Sequence, residues 1–139
     1  MLNISLEQYL KRLASDLKFN ELYTPLGPGH FKLQIPGVEA VELQINDTEL
    51  RIIAPIGSFP ENCDEDKLFS YLLFANYLGQ GTGRSVIGLH PSQPSIILSQ
   101  VIFYPIDYPD FKERIEEFCN FIDYLTPHLN TQISTFLKE

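Results

Sequence analysis

The 139-residue sequence is poor in basic residues, cysteine and long apolar runs. Ten lysines and arginines stand against eighteen acidic residues, and the net charge of −8 argues against binding to nucleic acid or anionic membranes, which requires clustered positive charge. No apolar run approaches the roughly 18 residues of a membrane span. Cys63 and Cys119 stand alone without a CxxC pair, which indicates a reduced, cytoplasmic protein rather than a disulfide scaffold. No charged segment with an apolar core follows Met1, so we expect no signal peptide.

What the chain does contain is apolar surface. Its hydrophobic fraction is 44%, with ten phenylalanines and seven tyrosines. Such a composition is typical of a globular protein rather than a disordered one, and the length suits one domain over residues 1–139.

Three segments have the spacing of helices. The first carries Leu6, Leu10, Leu13 and Leu17 on one face. Ser5 precedes this stripe with Gln8 three residues later, which predicts that Ser5 caps the helix. The second helix covers residues 66–78 and starts with acidic residues. The third begins near Asp107, and we expect Pro127 to end it.

Five segments have the patterns of strands. Three of them follow a predicted loop at residues 20–29, and the turn residues at positions 36–37 and 46–47 make them an antiparallel meander. We expect the strand at residues 31–35 to be the sheet edge. Residues 86–89 and 96–104 form two more strands, the second apolar on both faces and therefore predicted to be central. The order α-β-β-β-α-β-β-α predicts an α+β fold, a twisted antiparallel sheet with three helices.

The second helix is apolar around most of its circumference. One stripe contains Leu68 and Leu72, and another contains Phe69, Leu73 and Tyr77. A helix with two apolar faces must be buried on two sides, so we predict a homodimer. The predicted dimer interface consists of Phe69, Leu72, Leu73, Tyr77, Val86, Ile87 and Leu89. The alternative is a core helix buried on both sides within one chain.

No residues have the spacing of a catalytic or metal-binding site. Gly79, Gly81 and Gly83, with Arg84, invite interpretation as a phosphate-binding loop, but the loop follows a helix and lacks the Gly-Lys-Ser/Thr ending. A small nucleotide-binding or regulatory α+β domain that uses residues 79–83 is the alternative function. The histidines, His30, His90 and His128, are far apart in sequence. We therefore expect no enzyme activity, no cofactor and no metal.

Several short motifs occur in the order seen in a known family. They are Leu72-Leu73-Phe74-Ala75-Asn76, Thr82-Gly83, Ile87-Gly88-Leu89-His90-Pro91, Ile96-Ile97-Leu98, and then Asp107 with Phe111 and Phe118. This order resembles the Tir chaperone family, the class I chaperones of type III secretion, over nearly the whole chain. His90 departs from the pattern, since the family often has an acid there.

The resemblance implies a bacterial cytoplasmic homodimer that binds the N-terminal part of a secreted effector in an extended form without using ATP. It leaves a secretion ATPase open as a further partner.

The first helix and the strand after it are the predicted effector-binding site. The site consists of Leu6, Leu10, Leu13, Leu17, Phe31, Leu33 and Ile35. We expect these side chains to form a groove partly open to solvent, with the strand edge free to add backbone hydrogen bonds to an effector strand. Two alternatives stay open: the leucines are ordinary core residues, or the groove lies on the side of the second helix.

Overall fold

The computed structural model describes residues 2–35, 37–46, 48–76, 85–103 and 105–138. Over these residues the chain forms three helices and six strands, which confirms the predicted α+β class and adds one strand. In chain order they are α1 (Leu2–Asp16), β1 (Tyr23–Gly27), β2 (His30–Ile35), β3 (Val38–Asn46), β4 (Glu49–Ser58), α2 (Glu65–Asn76), β5 (Val86–Leu89), β6 (Ser95–Phe103) and α3 (Tyr108–Phe136).

The six strands form one antiparallel sheet in the order β1-β2-β3-β4-β6-β5. The first four strands are a meander, and Gly37 takes the positive φ of 83° that the turn between β2 and β3 requires. β6 then pairs with β4 along almost its whole length, and β5 adds to the far side of β6. The edges of the sheet are therefore β1 and β5.

The segment at residues 20–29, predicted as a loop, contains the edge strand β1. The amide of Gln34 donates to the carbonyl of Leu22 at 2.6 Å. In the antiparallel register, the backbone amide and carbonyl positions of Tyr23 and Pro25 then point away from β2. A proline in that outward position costs the ladder no hydrogen bond. The prediction that the strand at residues 31–35 is the edge is wrong, because β2 lies between β1 and β3.

Helix α1 starts earlier than predicted and ends in a left-handed residue. It begins at Leu2, so Ser5 lies within the helix and does not cap it. At the other end Lys18 has a φ of 54°, and the amide of Phe19 donates to the carbonyl of Ala14 at 3.0 Å. This is a Schellman-type ending with lysine in the position that glycine usually takes.

Helix α3 passes through Pro127 and continues to Phe136, so the prediction that Pro127 ends it is wrong. A proline inside a helix removes one hydrogen bond and costs about 3 kcal/mol. The turns beyond it carry the buried side chains of Leu129 and Ile133, which lie against Gly57 of β4. Burial of each such side chain is worth about 1.5–3 kcal/mol, enough to offset the proline.

One hydrophobic core joins α1, α3 and one face of the sheet. The fully buried Phe111 and Phe118 of α3 lie in it. The other face of β6 is more open, since Ile97 and Val101 are half-buried and Phe103 is 75% exposed. The prediction of a strand buried on both faces is therefore wrong for a single copy of the chain.

Candidate partner-binding surfaces

The residues predicted to bind an effector lie mostly inside the core. The side chains of Leu6, Leu10, Leu13 and Leu33 have no exposed surface, and Phe31 is 5% exposed. Only Leu17, which is 45% exposed, and the half-buried Ile35 offer surface to a partner. The expected open groove along the leucine stripe is absent from the described residues, because α1 packs that stripe against the sheet. Whether the seven residues contribute to effector binding stays a prediction.

A shallow cleft of about 510 Å³ nevertheless lies on β2 and the start of β3. Leu33 and Ile35 of the predicted site line it together with Phe19 and Val38, and Lys32 and Gln34 add polar groups. The cleft is large enough for a few side chains of an extended segment, because ligand sites typically measure about 300–1,000 Å³. This cleft and Leu17 are the parts of the predicted site that are accessible in the free chain.

The predicted dimer interface divides into exposed and buried residues. Leu73, Val86 and Leu89 are 72%, 57% and 44% exposed, and Phe69 is 37% exposed. Leu72 and Ile87 are buried within the chain, while Tyr77 lies outside the described residues, as do the glycines at positions 79, 81 and 83. Leu72 and Ile87 thus offer a partner little surface in a single copy of the chain, and the seven-residue interface stays a prediction.

Two exposed aromatic residues were missed in the sequence. Phe74 of α2 is 77% exposed, and Phe103 lies at the end of the open face of β6. Val86 extends this open face, since it pairs with Ser99 of β6. Val86 and Phe103 are therefore exposed on the open face of the sheet, while Leu73 and Phe74 are exposed on α2. Exposed apolar side chains of this size mark candidate interaction sites.

A polar cluster joins α1 to α3. The hydroxyl of Tyr108 donates to Oδ2 of Asp16 at 2.6 Å, Lys112 Nζ lies 3.7 Å from the same oxygen, and the guanidinium of Arg12 lies 4.1 Å from the centre of the Tyr108 ring. The hydrogen bond from Tyr108 lowers the pKa of Asp16. Burial and the neighbouring Asp16 raise the pKa of Tyr108 to about 12. These contacts link two helices, and the cluster is therefore interpreted as structural rather than reactive.

Histidines and cysteines do not converge in the part of the chain that the structure describes. His30 Nε2 lies 3.4 Å from Glu42, the ring of His90 accepts a hydrogen bond from the amide of Ser92, and His128 stacks on Tyr124. Among the described residues no group of three or more His, Cys, Asp or Glu could hold a metal ion.

The two cysteine side chains are both buried. Burial raises the pKa of the Cys119 thiol to about 12, so this thiol is protonated and unreactive at neutral pH. The expectation of no enzyme activity and no cofactor stays a prediction. None of the helices in the described ranges is long and apolar enough to cross a membrane.

The chain belongs to the Tir chaperone protein (CesT) family, whose pattern it matches over residues 8–125. This confirms the resemblance found in the sequence. A search of curated proteins gave no significant match to the chain.

Solved structures with the same fold have low sequence identity to the chain. One is a chain of the HopA1–SchA chaperone–effector complex, at 15% identity and a TM-score of 0.66, covering 91% of this chain and 97% of that one. Another is a chain of the ExoU–SpcU complex from the type III secretion system of Pseudomonas aeruginosa, at 12% identity, a TM-score of 0.62, and coverage of 91% and 96%. A third is YbjN of E. coli, described as a putative transcription regulator, at 12% identity, a TM-score of 0.60, and coverage of 95% of each chain.

Proposed function

We propose that the chain is a type III secretion chaperone that binds the N-terminal segment of a secreted effector in an extended form and keeps it soluble and ready for secretion. The family match over residues 8–125 is the observation that carries this proposal. Two of the fold neighbours come from complexes described as chaperone–effector or type III secretion complexes, which supports a secreted effector as the partner. The net charge of −8 suits a cytoplasmic protein that must stay soluble while it exposes apolar surface.

The chaperone acts as a homodimer in this proposal. Support comes from the exposed side chains of Leu73, Phe74, Val86 and Phe103, which are each more than half exposed in a single copy. Burying a large apolar side chain is worth about 1.5–3 kcal/mol, so several of them together favour association. The partner in the predicted interface is a second copy of the chain.

The cargo surface in this proposal is the cleft on β2 and β3, together with Leu17. Ile35 and Phe19 contact the effector segment, and the buried Leu33 and Val38 form the floor of the cleft. The fully buried leucines of α1 shape the surface from beneath. Since an extended segment loses conformational entropy on binding, affinity rests on many modest contacts rather than one pocket.

Co-purification with a candidate effector tests the function. The full chain is co-expressed with the product of the neighbouring reading frame, and separately with that product lacking its N-terminal segment. We expect a soluble complex, sized by light scattering, only when the segment is present. Deletion of the gene should also reduce the amount of the effector that is secreted. Equal binding of the truncated effector contradicts the proposal.

The chaperone uses no nucleotide or metal in this proposal. Calorimetry with ATP, GTP and zinc ion checks this directly. Saturable binding at micromolar concentration that is lost in Arg84→Ala would favour the nucleotide-binding alternative. Contact with a secretion ATPase is a separate question, which binding of the purified ATPase to the chaperone–effector complex would answer.

A further inference from the structure

Asn76, the last residue of α2, makes two hydrogen bonds to the backbone of one residue in β5. Its Nδ2 donates to the carbonyl oxygen of Ile87 at 2.9 Å, and the amide of Ile87 donates to its Oδ1 at 2.8 Å. A side-chain amide has the same donor and acceptor pair as a peptide group. Asn76 therefore bonds to β5 as a residue of a neighbouring strand would.

Ile87 is a position at which β5 would otherwise accept another strand. It lies opposite Leu98 of β6, but its amide and carbonyl point to Asn76 and hence away from β6. In the four residues of β5, alternation leaves only Ile87 and Leu89 with outward backbone groups. The side chain of Asn76 thus occupies one of the two positions that this edge offers to a strand.

The opposite edge of the sheet is limited by a different residue. The backbone nitrogen of Pro25 in β1 faces away from β2, and it has no hydrogen to donate to a further strand. Exposed sheet edges pair readily with other chains, and natural proteins block them with proline, charge or covering groups. The two edges of this sheet, β1 and β5, are therefore both poor templates for strand addition.

We propose that Asn76 is an edge cap, which closes β5 to backbone pairing so that a second copy of the chain binds this end through side chains and not by joining the two sheets edge to edge. The side chains available for that contact are the exposed Leu73, Val86 and Leu89, which lie on the two elements that Asn76 joins. The identity of the partner rests on the proposed homodimer, whereas the cap itself does not. The cap also gives a physical reason for asparagine at the end of the Leu72-Leu73-Phe74-Ala75-Asn76 motif.

Three variants of the full chain separate the cap from simple helix packing. Asn76→Ala removes both hydrogen bonds. Asn76→Asp keeps an acceptor for the Ile87 amide, but it removes the donor and adds a charge at the edge. Leu72→Ala is the control, since Leu72 is a buried residue one turn earlier on α2, and its truncation loosens the packing of α2 without touching the bonds to Ile87.

Hydrogen exchange at the Ile87 amide and sedimentation velocity over a range of protein concentrations are the two measurements. Loss of both hydrogen bonds corresponds to roughly 5- to 160-fold faster exchange. We expect this acceleration in Asn76→Ala, together with species larger than those of the wild type. Asn76→Asp should keep part of the protection and form no larger species, because charge on an edge strand opposes pairing. Leu72→Ala, which loosens the packing of α2, should form no species larger than those of the wild type.

Unchanged exchange at Ile87 in Asn76→Ala, or the same size distribution as the wild type, overturns the cap. Larger species in Leu72→Ala that match those of Asn76→Ala also overturn it, because loosening of α2 would then explain them. If the wild type is a monomer but Asn76→Ala exchanges faster and associates, the cap holds and the homodimer of the proposed function fails.

Discussion

The pair of substitutions Leu13→Ala and Leu17→Ala tests whether the leucine stripe of α1 is core or open groove. The two residues are four positions apart on the same stripe, but Leu13 is fully buried whereas Leu17 is 45% exposed. The amide of Leu17 still donates to the carbonyl of Leu13 at 2.9 Å, so both lie in helix-like backbone.

Truncating a fully buried leucine to alanine costs about 2–5 kcal/mol, because apolar contacts are lost and a cavity remains. At Leu17 we expect about 1 kcal/mol or less, because nearly half of this side chain is already in water.

Urea unfolding measures both losses of stability. All variants are compared at one protein concentration, because the apparent stability of an associating protein depends on concentration. With a slope of about 2 kcal/mol/M, Leu13→Ala should lower the urea midpoint by about 1–2.5 M and Leu17→Ala by about 0.5 M or less. Equal losses in the two variants, or no loss in Leu13→Ala, would refute the assignment of the stripe to the core. Effector binding by the folded Leu17→Ala variant should be weaker than that of the wild type, and full binding would remove Leu17 from the cargo surface.

Three further predictions concern association and pH. Phe103→Ser should turn the proposed dimer into a monomer in light scattering, because Phe103 is 75% exposed on the open face of β6. The control Tyr124→Ser removes a 66% exposed aromatic side chain from α3 and should leave the size unchanged. The reverse result would place the interface on α3. Because burial raises the pKa of the Cys119 thiol from 9.0 to about 12, its contribution to stability is complete below pH 9 and is lost as the pH rises towards 12, by at most about 1.4 kcal/mol per pH unit. Thermal unfolding of Cys119→Ala should therefore show a flatter decline over this range, and an unchanged decline counts against the burial of the thiol. The hydrogen bond from Tyr108 lowers the pKa of Asp16 below 3.8, so the stability that this carboxylate contributes is present above that pH and is lost as the pH falls through the lowered pKa. Asp16→Asn should remove this part of the acid dependence of the urea midpoint. An identical acid profile in the variant argues against the bond.

Features that depend on a few neighbouring residues could be predicted from the sequence. Asp107 starts α3, and its side chain accepts a hydrogen bond from the amide of Asp110 at 2.9 Å. Asp64 does the same before α2, where it accepts from the amide of Lys67 at 3.3 Å. The alternation along β4 was visible in its residues, because successive side chains of a strand point to opposite faces. The family also followed from the order of short motifs along the chain, which the match over residues 8–125 confirms.

Features that depend on distant residues were missed. The segment of β1 contains Pro25 and a glycine, which locally indicate a loop, yet it pairs with β2 because an edge strand uses only half of its backbone groups for the ladder. Pro127 locally indicates the end of a helix. The helix continues because Leu129 and Ile133 are buried against β4, and this burial outweighs the cost of the proline. In both cases a tertiary contact overrides a local preference.

The candidate surfaces divide in the same way. Periodicity identified the apolar stripe of α1 and the two apolar stripes of α2, because periodicity depends only on the spacing of residues along the chain. It could not decide that Leu13 is covered while Leu17 is not, or that Phe103 lies on a face left open, since exposure depends on which elements pack there. Nor does periodicity show that Asn76 bonds to Ile87, because these residues are brought together only when the end of α2 packs beside β5. The sequence determined which side chains are apolar and how they repeat, and the tertiary structure decided which of them a partner can reach.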